Sequence, residues 1–429
     1  MIHAMHVHPH DIRDEGAAVV VGNIVDRAHI KTIIAEATTL EERHPYPRGV
    51  LPHNPVRGVF VSHATLEVPF GGETFRDLAV RPVLSPAAAD GQDYLGSLRD
   101  AAAGSGAEVI PWLKALNGAF AGGIDRVCVR TISGEPVPTW LCPTRPETAE
   151  FVLRLVRSVQ ERYQSSALLL DRLRYPDWSG ANVNPERMLT CFCDVCRKRM
   201  QLDGIDLTLL KRSLLSLRAV SPGGLQEAHN RANLEMIERW LAFRQARITE
   251  LAGLISADLR DYNQVTGVNT AFWLNLWPPS FARFMGQDYH ALGLLCEGAK
   301  HFPYHRLGGG ADLAGLVDAL VPERVAREPM FQTVLGLLGM PYRLTYEQFK
   351  ADGLPVTFVA EETSKAKSAF GADKGIFTGV QIWDTPVSEI DRAYQAAKLG
   401  KADGVFFYCY GWAALAALDA VGGIVAPFF

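Results

Sequence analysis

Short apolar runs recur along the chain, separated by longer stretches in which apolar residues return every three or four positions. The short runs are Ile2–Val7, Lys31–Ala37, Glu108–Leu113, Ala167–Leu173, Asn269–Leu276, Lys300–His305, Val356–Ala360, Gly379–Trp383 and Gly404–Tyr410. Rich in Val, Ile, Phe and Trp, they predict buried strands. Between them lie amphipathic helices. Pro146–Arg162 places Phe151, Val152, Leu155, Val156 and Val159 along one face, with Glu147 and Glu150 early and basic residues late, the charge bias a helix dipole favours. Leu234–Leu259 and Val387–Leu399, the latter ended by Gly400, follow the same pattern. Strands alternating with helices predict a parallel sheet with helical crossovers.

A (β/α)8 TIM barrel accommodates this order as a single domain over residues 1–429. Nine candidate strands for eight positions make either Gly379–Trp383 or an earlier run accessory. A doubly wound open sheet would also alternate, but no Gly-rich phosphate loop follows an early strand, which disfavours its dinucleotide-binding version. Two long non-periodic stretches, about 44–94 and 176–223, are expected as elaborated βα-loops at the C-terminal face, where barrel active sites are built.

Composition narrows the function classes. The 429 residues carry 43 Lys+Arg against 47 Asp+Glu, a net charge of −4, which gives no polyelectrolyte signature for a nucleic-acid partner. With 48% hydrophobic and 21% charged residues, the chain is not a disordered one. No apolar run approaches the ~18–20 residues of a membrane span; the apolar tail from Asp403 is broken by Gly404, Gly411, Asp419, Gly422 and Gly423. The start, Met1-Ile2-His3-Ala4-Met5-His6-Val7-His8, lacks the pattern of a signal peptide, so the expected location is cytoplasmic. Long apolar helices would allow a homo-oligomer, but nothing specifies an interface.

Three of the seven cysteines fall in Cys191-Phe192-Cys193-Asp194-Val195-Cys196, and Cys142 lies upstream before Pro143. In a reducing compartment such clustering points to metal rather than disulfides. Four thiolates form a closed tetrahedral shell, so Cys142, Cys191, Cys193 and Cys196 are expected to hold a structural zinc, tying the loop after the fourth strand to that after the third. Cys128, Cys296 and Cys409 read as small core residues.

The order of a lone Cys before a helix, a barrel strand, then a CxCxxC element resembles the zinc site of family-42 β-galactosidases, over roughly residues 140–200. The run Leu168–Pro176 is also similar to one in uncharacterised glycosidase-like barrel proteins, and Gly49–Pro55 and Gly404–Trp412 have the same flavour. The resemblance implies a glycoside hydrolase acting on a small carbohydrate through two carboxylates. Family-42 enzymes carry Asn-Glu at the end of the fourth strand. Here Asp171-Arg172-Leu173-Arg174-Tyr175 has no Glu, and Asp171 is the only carboxylate at that strand end. The family's strand-seven nucleophile is matched by Pro355-Val356-Thr357-Phe358-Val359-Ala360-Glu361. Asp171 and Glu361 are therefore the expected catalytic pair, as glycoside hydrolysis needs two carboxylates flanking the scissile bond. Glu36 and Asp384, each after an apolar run, are further acids for the same mouth.

Aromatic and polar groups near predicted strand ends would contact sugar: Arg174, Trp273, Asn275, Tyr304, His305, Trp383, Asp384 and Trp412, with Trp112, Trp277, Tyr410 and Arg306 nearby. Arg174 and Arg306 suit a carboxylate on an acidic sugar, or else pair with protein acids. His3, His6, His8, His10 and Asp11 crowd the first strand. His6 and His8 alternate and so point the same way. This resembles the start of metal-dependent amidohydrolases, but the fifth strand has no His and the fourth no Lys. A metal-dependent amidohydrolase and a catalytically inactive carbohydrate-binding barrel remain as alternatives.

Overall fold

Eight parallel strands close into a barrel, and each is followed by at least one helix. The strands are β1 (Ile2–Val7), β2 (Thr32–Glu36), β3 (Glu108–Lys114), β4 (Ala167–Asp171), β5 (Ala271–Leu276), β6 (Gly298–His301), β7 (Gly375–Gln381) and β8 (Gly404–Tyr408), paired in chain order with β8 returning to β1. This is the expected (β/α)8 architecture. The computed structural model describes residues 1–39, 50–58, 64–178, 183–218, 231–306, 313–321 and 323–426. Parts of the two predicted insertions, 44–49 (with Gly49), 59–63, 179–182 and 219–223, lie outside the described residues. Among the described residues no helix is long and apolar enough to cross a membrane.

Seven of the eight strands coincide with predicted runs to within a few residues, and Gly379–Trp383 is the C-terminal half of β7. The surplus run is Val356–Ala360, which belongs to helix Thr357–Phe370. Phe358, Val359, Glu362, Thr363, Ala366 and Phe370 are its buried residues, a spacing of three to four. A short apolar run fits one face of a helix as well as a buried strand. The predicted helices appear as Pro146–Tyr163, Arg231–Thr266 and Val387–Leu399.

The two predicted insertions fall, as expected, within the connections leaving β2 and β4. A third elaboration, after β6, was not anticipated. Helices Leu313–Leu320, Arg327–Leu337 and Tyr346–Asp352 precede Thr357–Phe370 there. Phe331, Phe349 and Phe358 pack with Trp178, Trp277 and Phe302 in a second apolar core beside the barrel.

Inside the barrel, Ala4, Ile34, Ile110, Trp112, Leu169, Trp273, Phe377 and Phe406 pack into a closed apolar plug. Side chains alternate along a strand, so the residue two places further on faces inward too. That rule takes each strand from apolar packing to polar groups at the C-terminal face.

Candidate active site

Two places beyond the interior residue lie His6 on β1, Glu36 on β2, Lys114 on β3, Asp171 on β4, Asn275 on β5 and Tyr408 on β8; Gln381 on β7 lies four beyond Phe377, and Lys300 on β6 lies two beyond Gly298. Strand register supports the ring: Lys114 is opposite Asp171, Asn275 opposite Lys300, and Gln381 opposite Tyr408. All but Tyr408 are buried. A C-terminal barrel face lined in this way is where chemistry is located in such folds.

Asp171 is held by three donors. The Trp112 indole N–H lies 3.2 Å from Oδ2, the Arg174 guanidinium 3.1 Å from Oδ1, and the Arg172 backbone N–H 2.6 Å from Oδ1. Burial alone would raise its pKa, but Arg174, Arg172, Lys114 and Lys300 outweigh it and hold the carboxyl below its ordinary value. Asp171 is thus an ionised carboxylate in a water-poor setting.

Glu36 is ion-paired with Lys114, and its other oxygen lies 3.5 Å from His8 Nε2. The Glu36 and Lys114 side chains are each 2% exposed. Removing one partner of such a pair strands a buried charge. Lys114→Met is therefore expected to lower the unfolding free energy by about 3–5 kcal/mol. Denaturant titration checks this, and a loss below ~1 kcal/mol would mean that Glu36 is satisfied elsewhere.

Lys300 differs from Lys114. Its ammonium donates to the Tyr304 hydroxyl at 3.0 Å, and it forms no ion pair with a carboxylate among the described residues. Burial lowers the amine to about 7; Arg174 acts in the same sense, Asp171 and Cys409 in the opposite one. The rings of Phe302, Tyr304 and Tyr408 lie 5.0, 5.3 and 5.6 Å from Nζ. Cation–π attraction, worth ~1–2 kcal/mol, offsets only part of the burial cost.

His6 sits between Trp112 and Tyr408, with ring centroids 4.8 and 5.4 Å away. Burial, then Lys300 and Lys114, push its pKa well below the ordinary value, so the ring is neutral. Neither of its nitrogens has a hydrogen-bond partner among the described residues, nor do Asn275 Oδ1 and Gln381 Oε1. His8 also faces the mouth, stacked on Trp412 at 5.2 Å, so the alternation of His6 and His8 holds. His8, His10 and Asp11 bring their ligand atoms within 4.8 Å of one another, all buried, a group that can hold a metal ion. His3 instead lies outside the barrel, 3.1 Å from the Tyr394 hydroxyl.

The expected pairing of Asp171 with Glu361 is not what the fold provides. Glu361 is exposed on helix Thr357–Phe370 and accepts a hydrogen bond from Tyr342. It is a helix residue because the run before it is helical, so the strand-seven position it was matched to does not exist there. Glu361→Gln is expected to keep turnover within about twofold of wild type, as surface changes away from a site do; a loss of orders of magnitude would return Glu361 to the chemistry.

The remaining predicted contacts divide. Asn275, Tyr304 and Trp412 lie at the mouth, with Tyr304 stacked on Tyr408 at 5.7 Å. Arg174 is also there, but it binds Asp171 and Asp177, so its guanidinium serves the protein's own acids. Trp273 belongs to the packed interior, 4.7 Å from Phe377. Trp383 is buried against Trp412 at 5.9 Å, and Asp384 follows it exposed, with φ +49°. His305 turns aside to Glu389 at 3.4 Å, and Arg306 to Asp352. Lys114 and Lys300 escaped the sequence reading. The predicted third strand stopped one residue short of Lys114, and the predicted sixth began at Lys300 rather than ending beyond it.

Behind this wall, Cys142, Cys191, Cys193 and Cys196 converge, all buried, with every Sγ within 4.8 Å of the others. Cys142 Sγ lies 3.8 Å from Cys193 Sγ and 3.5 Å from Cys196 Sγ. A tetrahedral ion with ~2.3 Å bonds to sulfur needs sulfurs about 3.8 Å apart. Backbone N–H groups of Arg130 and Cys193 point at Cys191 Sγ, and that of Cys196 at Cys193 Sγ. The group therefore fits a metal held as thiolates, and it joins the connections after β3 and β4 as expected.

Comparison with solved structures bears on the fold. A glycoside hydrolase domain of PgaB (BpsB) from Bordetella bronchiseptica superposes with a TM-score of 0.57 at 13% identity, covering 99% of this chain and 98% of that one. The eight-strand barrel is the fold they have in common. A β-galactosidase from the psychrophilic Marinomonas ef1 gives 0.54 at 10% identity, covering 98% of this chain and 58% of that one. The catalytic domain of a β-amylase from Paenibacillus polymyxa gives 0.53 at 12%, covering 98% and 94%. No family model matches the sequence, and no curated protein does.

Proposed function

We propose that the protein is a glycoside hydrolase whose reacting carboxylates are Asp171 and Glu36. The observation that carries the reading is Asp171: a buried, ionised carboxylate at the end of β4, fixed by Trp112 and Arg174. The structural neighbours, a glycoside hydrolase domain, a β-galactosidase and a β-amylase, support the reaction class.

Hydrolysis develops positive charge at the anomeric carbon, and a carboxylate already ionised costs no proton transfer to oppose it. Asp171 takes that role. Glu36 acts on the leaving-group side, where the Lys114 ammonium it pairs with can resupply a proton, while burial keeps the neighbouring His8 ring neutral. Tyr408 and Trp412 offer apolar faces to a pyranose ring. The same reading assigns zinc to the four cysteines. Four thiolates leave no open position, so the ion would be structural, and its place is behind β4.

The test is release of nitrophenol from a panel of aryl glycosides, with calorimetric binding of the parent sugars measured alongside. Turnover on one member supports the proposal. Saturable binding with no turnover on any member would make the protein a carbohydrate-binding barrel. A metal-dependent hydrolase has one observation behind it, the His8–His10–Asp11 group. It predicts a second, chelator-labile metal ion in elemental mass spectrometry, and loss of activity with it.

A further inference from the structure

The mouth holds two buried lysines with opposite surroundings. Lys114 is neutralised by Glu36, the usual state of a buried ammonium. Lys300 is 2% exposed and, among the described residues, is given a phenol and three ring faces but no ion-paired carboxylate. Space has been kept for it: a Cβ at Gly379 would lie 3.0 Å from Lys300 Cε and 3.1 Å from Tyr304 Cε1. A lysine in an apolar pocket with no carboxylate partner is the arrangement that makes an amine nucleophilic at neutral pH.

The groups around it are those a polyhydroxylated ligand would need. Asn275, opposite Lys300 in the strand register, has its buried Oδ1 without a partner among the described residues. Gln381 Oε1 and both nitrogens of His6 are in the same state. Buried polar atoms are normally satisfied, and clustered exceptions at a barrel mouth mark positions for a ligand's hydroxyl groups.

We infer that Lys300 is an imine-forming lysine, taking the open-chain aldehyde or ketone form of a small hydroxylated compound. The Nζ lone pair attacks the carbonyl carbon to give a carbinolamine. The carbonyl oxygen then leaves as water, carrying away both protons of the amine, and a C=N bond remains. Tyr304, whose hydroxyl is 3.0 Å from Nζ, is placed to pass a proton between nitrogen and the departing oxygen. No oxidant, reductant or metal is required. The activity is separate from glycoside hydrolysis and does not rest on that reading. The low amine pKa accords with it, since the nucleophile must be unprotonated.

Borohydride trapping tests this. The folded protein is incubated with dihydroxyacetone or with glyceraldehyde, reduced, digested and mapped by mass spectrometry. Lys300 should carry the reduced adduct at least about tenfold above any surface lysine, and Lys114, tied to Glu36, should carry none. Lys300→Arg, which keeps length and charge but cannot form an imine, should abolish the site-specific adduct, with an unchanged thermal melt confirming its fold. Lys300→Met serves as a second variant. No adduct on Lys300 with either compound, or labelling no faster than at surface lysines, would overturn the inference.

Discussion

Asp171→Asn lowers kcat on any glycoside the protein hydrolyses by roughly 10³-fold, about 4 kcal/mol of transition-state stabilisation, with KM little changed. Asn has the same shape and retains a carbonyl oxygen for Arg172 N–H and for Arg174, while its amide NH2 meets the Trp112 N–H, so the charge and one hydrogen bond are removed together. Arg174 keeps Asp177 at 2.7 Å, which limits the loss of stability. The charge matters because Asp171 is buried where solvent cannot replace it. Initial rates and a thermal melt on the same preparation separate the two effects. A variant within about threefold of wild type, equally stable, would remove Asp171 from the mechanism. The pH dependence has a fixed sign. The folded carboxyl is held below its ordinary value of 3.8, so the charged form persists to lower pH than in the unfolded chain. Its contribution to both stability and rate is present at neutral pH and is lost as pH falls below that value.

The second large effect concerns the four cysteines. Purified protein is expected to contain one tightly held zinc per chain, and Cys193→Ser to lower both metal content and melting temperature, the latter by at least about 5 °C. The binding energy of a structural metal is also folding energy. Here the ion would tie two long connections, those after β3 and β4, that otherwise meet through few backbone bonds. Phe192 N–H donates to Arg130 C=O at 2.8 Å, and Arg145 pairs with Asp194 across the same seam. Loosening it would disturb the start of the β4 connection, where Arg174 holds Asp171. Absence of metal from freshly purified protein, with a melt indifferent to thiol modification, would leave these residues as a plain cluster of buried thiols.

Much of this was legible along the chain, and the reason is local. Strand and helix are set by side chains within one element, so apolar runs placed β1 to β5 and β8 correctly, and a period of 3.6 placed Val387–Leu399 to the residue. The CxCxxC spacing sets three sulfurs close together, and strand alternation alone put His6 and His8 on one face. What local pattern could not decide was Val356–Ala360. A five-residue apolar run satisfies either a buried strand or one face of a helix, and its packing against Trp277 and Phe281 made it helical. That single choice removed Glu361 from the mouth and left β7 to Gly375–Gln381.

The make-up of the site was decided in the same non-local way. Glu36, Lys114, Asp171 and Lys300 come from strands far apart in sequence, and only barrel closure and register determine which charges meet. Lys114 met Glu36, and Lys300 met three aromatic rings, although both are single lysines near the C-terminal end of a barrel strand. The sequence by itself determined most of the elements, the alternation along the first strand and the metal-binding spacing, because each depends on neighbours along one segment. Tertiary structure alone decided which carboxylate Trp112 and Arg174 hold in the barrel mouth and which lysine forms no ion pair among the described residues. Those properties are set by burial and charge across strands, and no segment carries them alone.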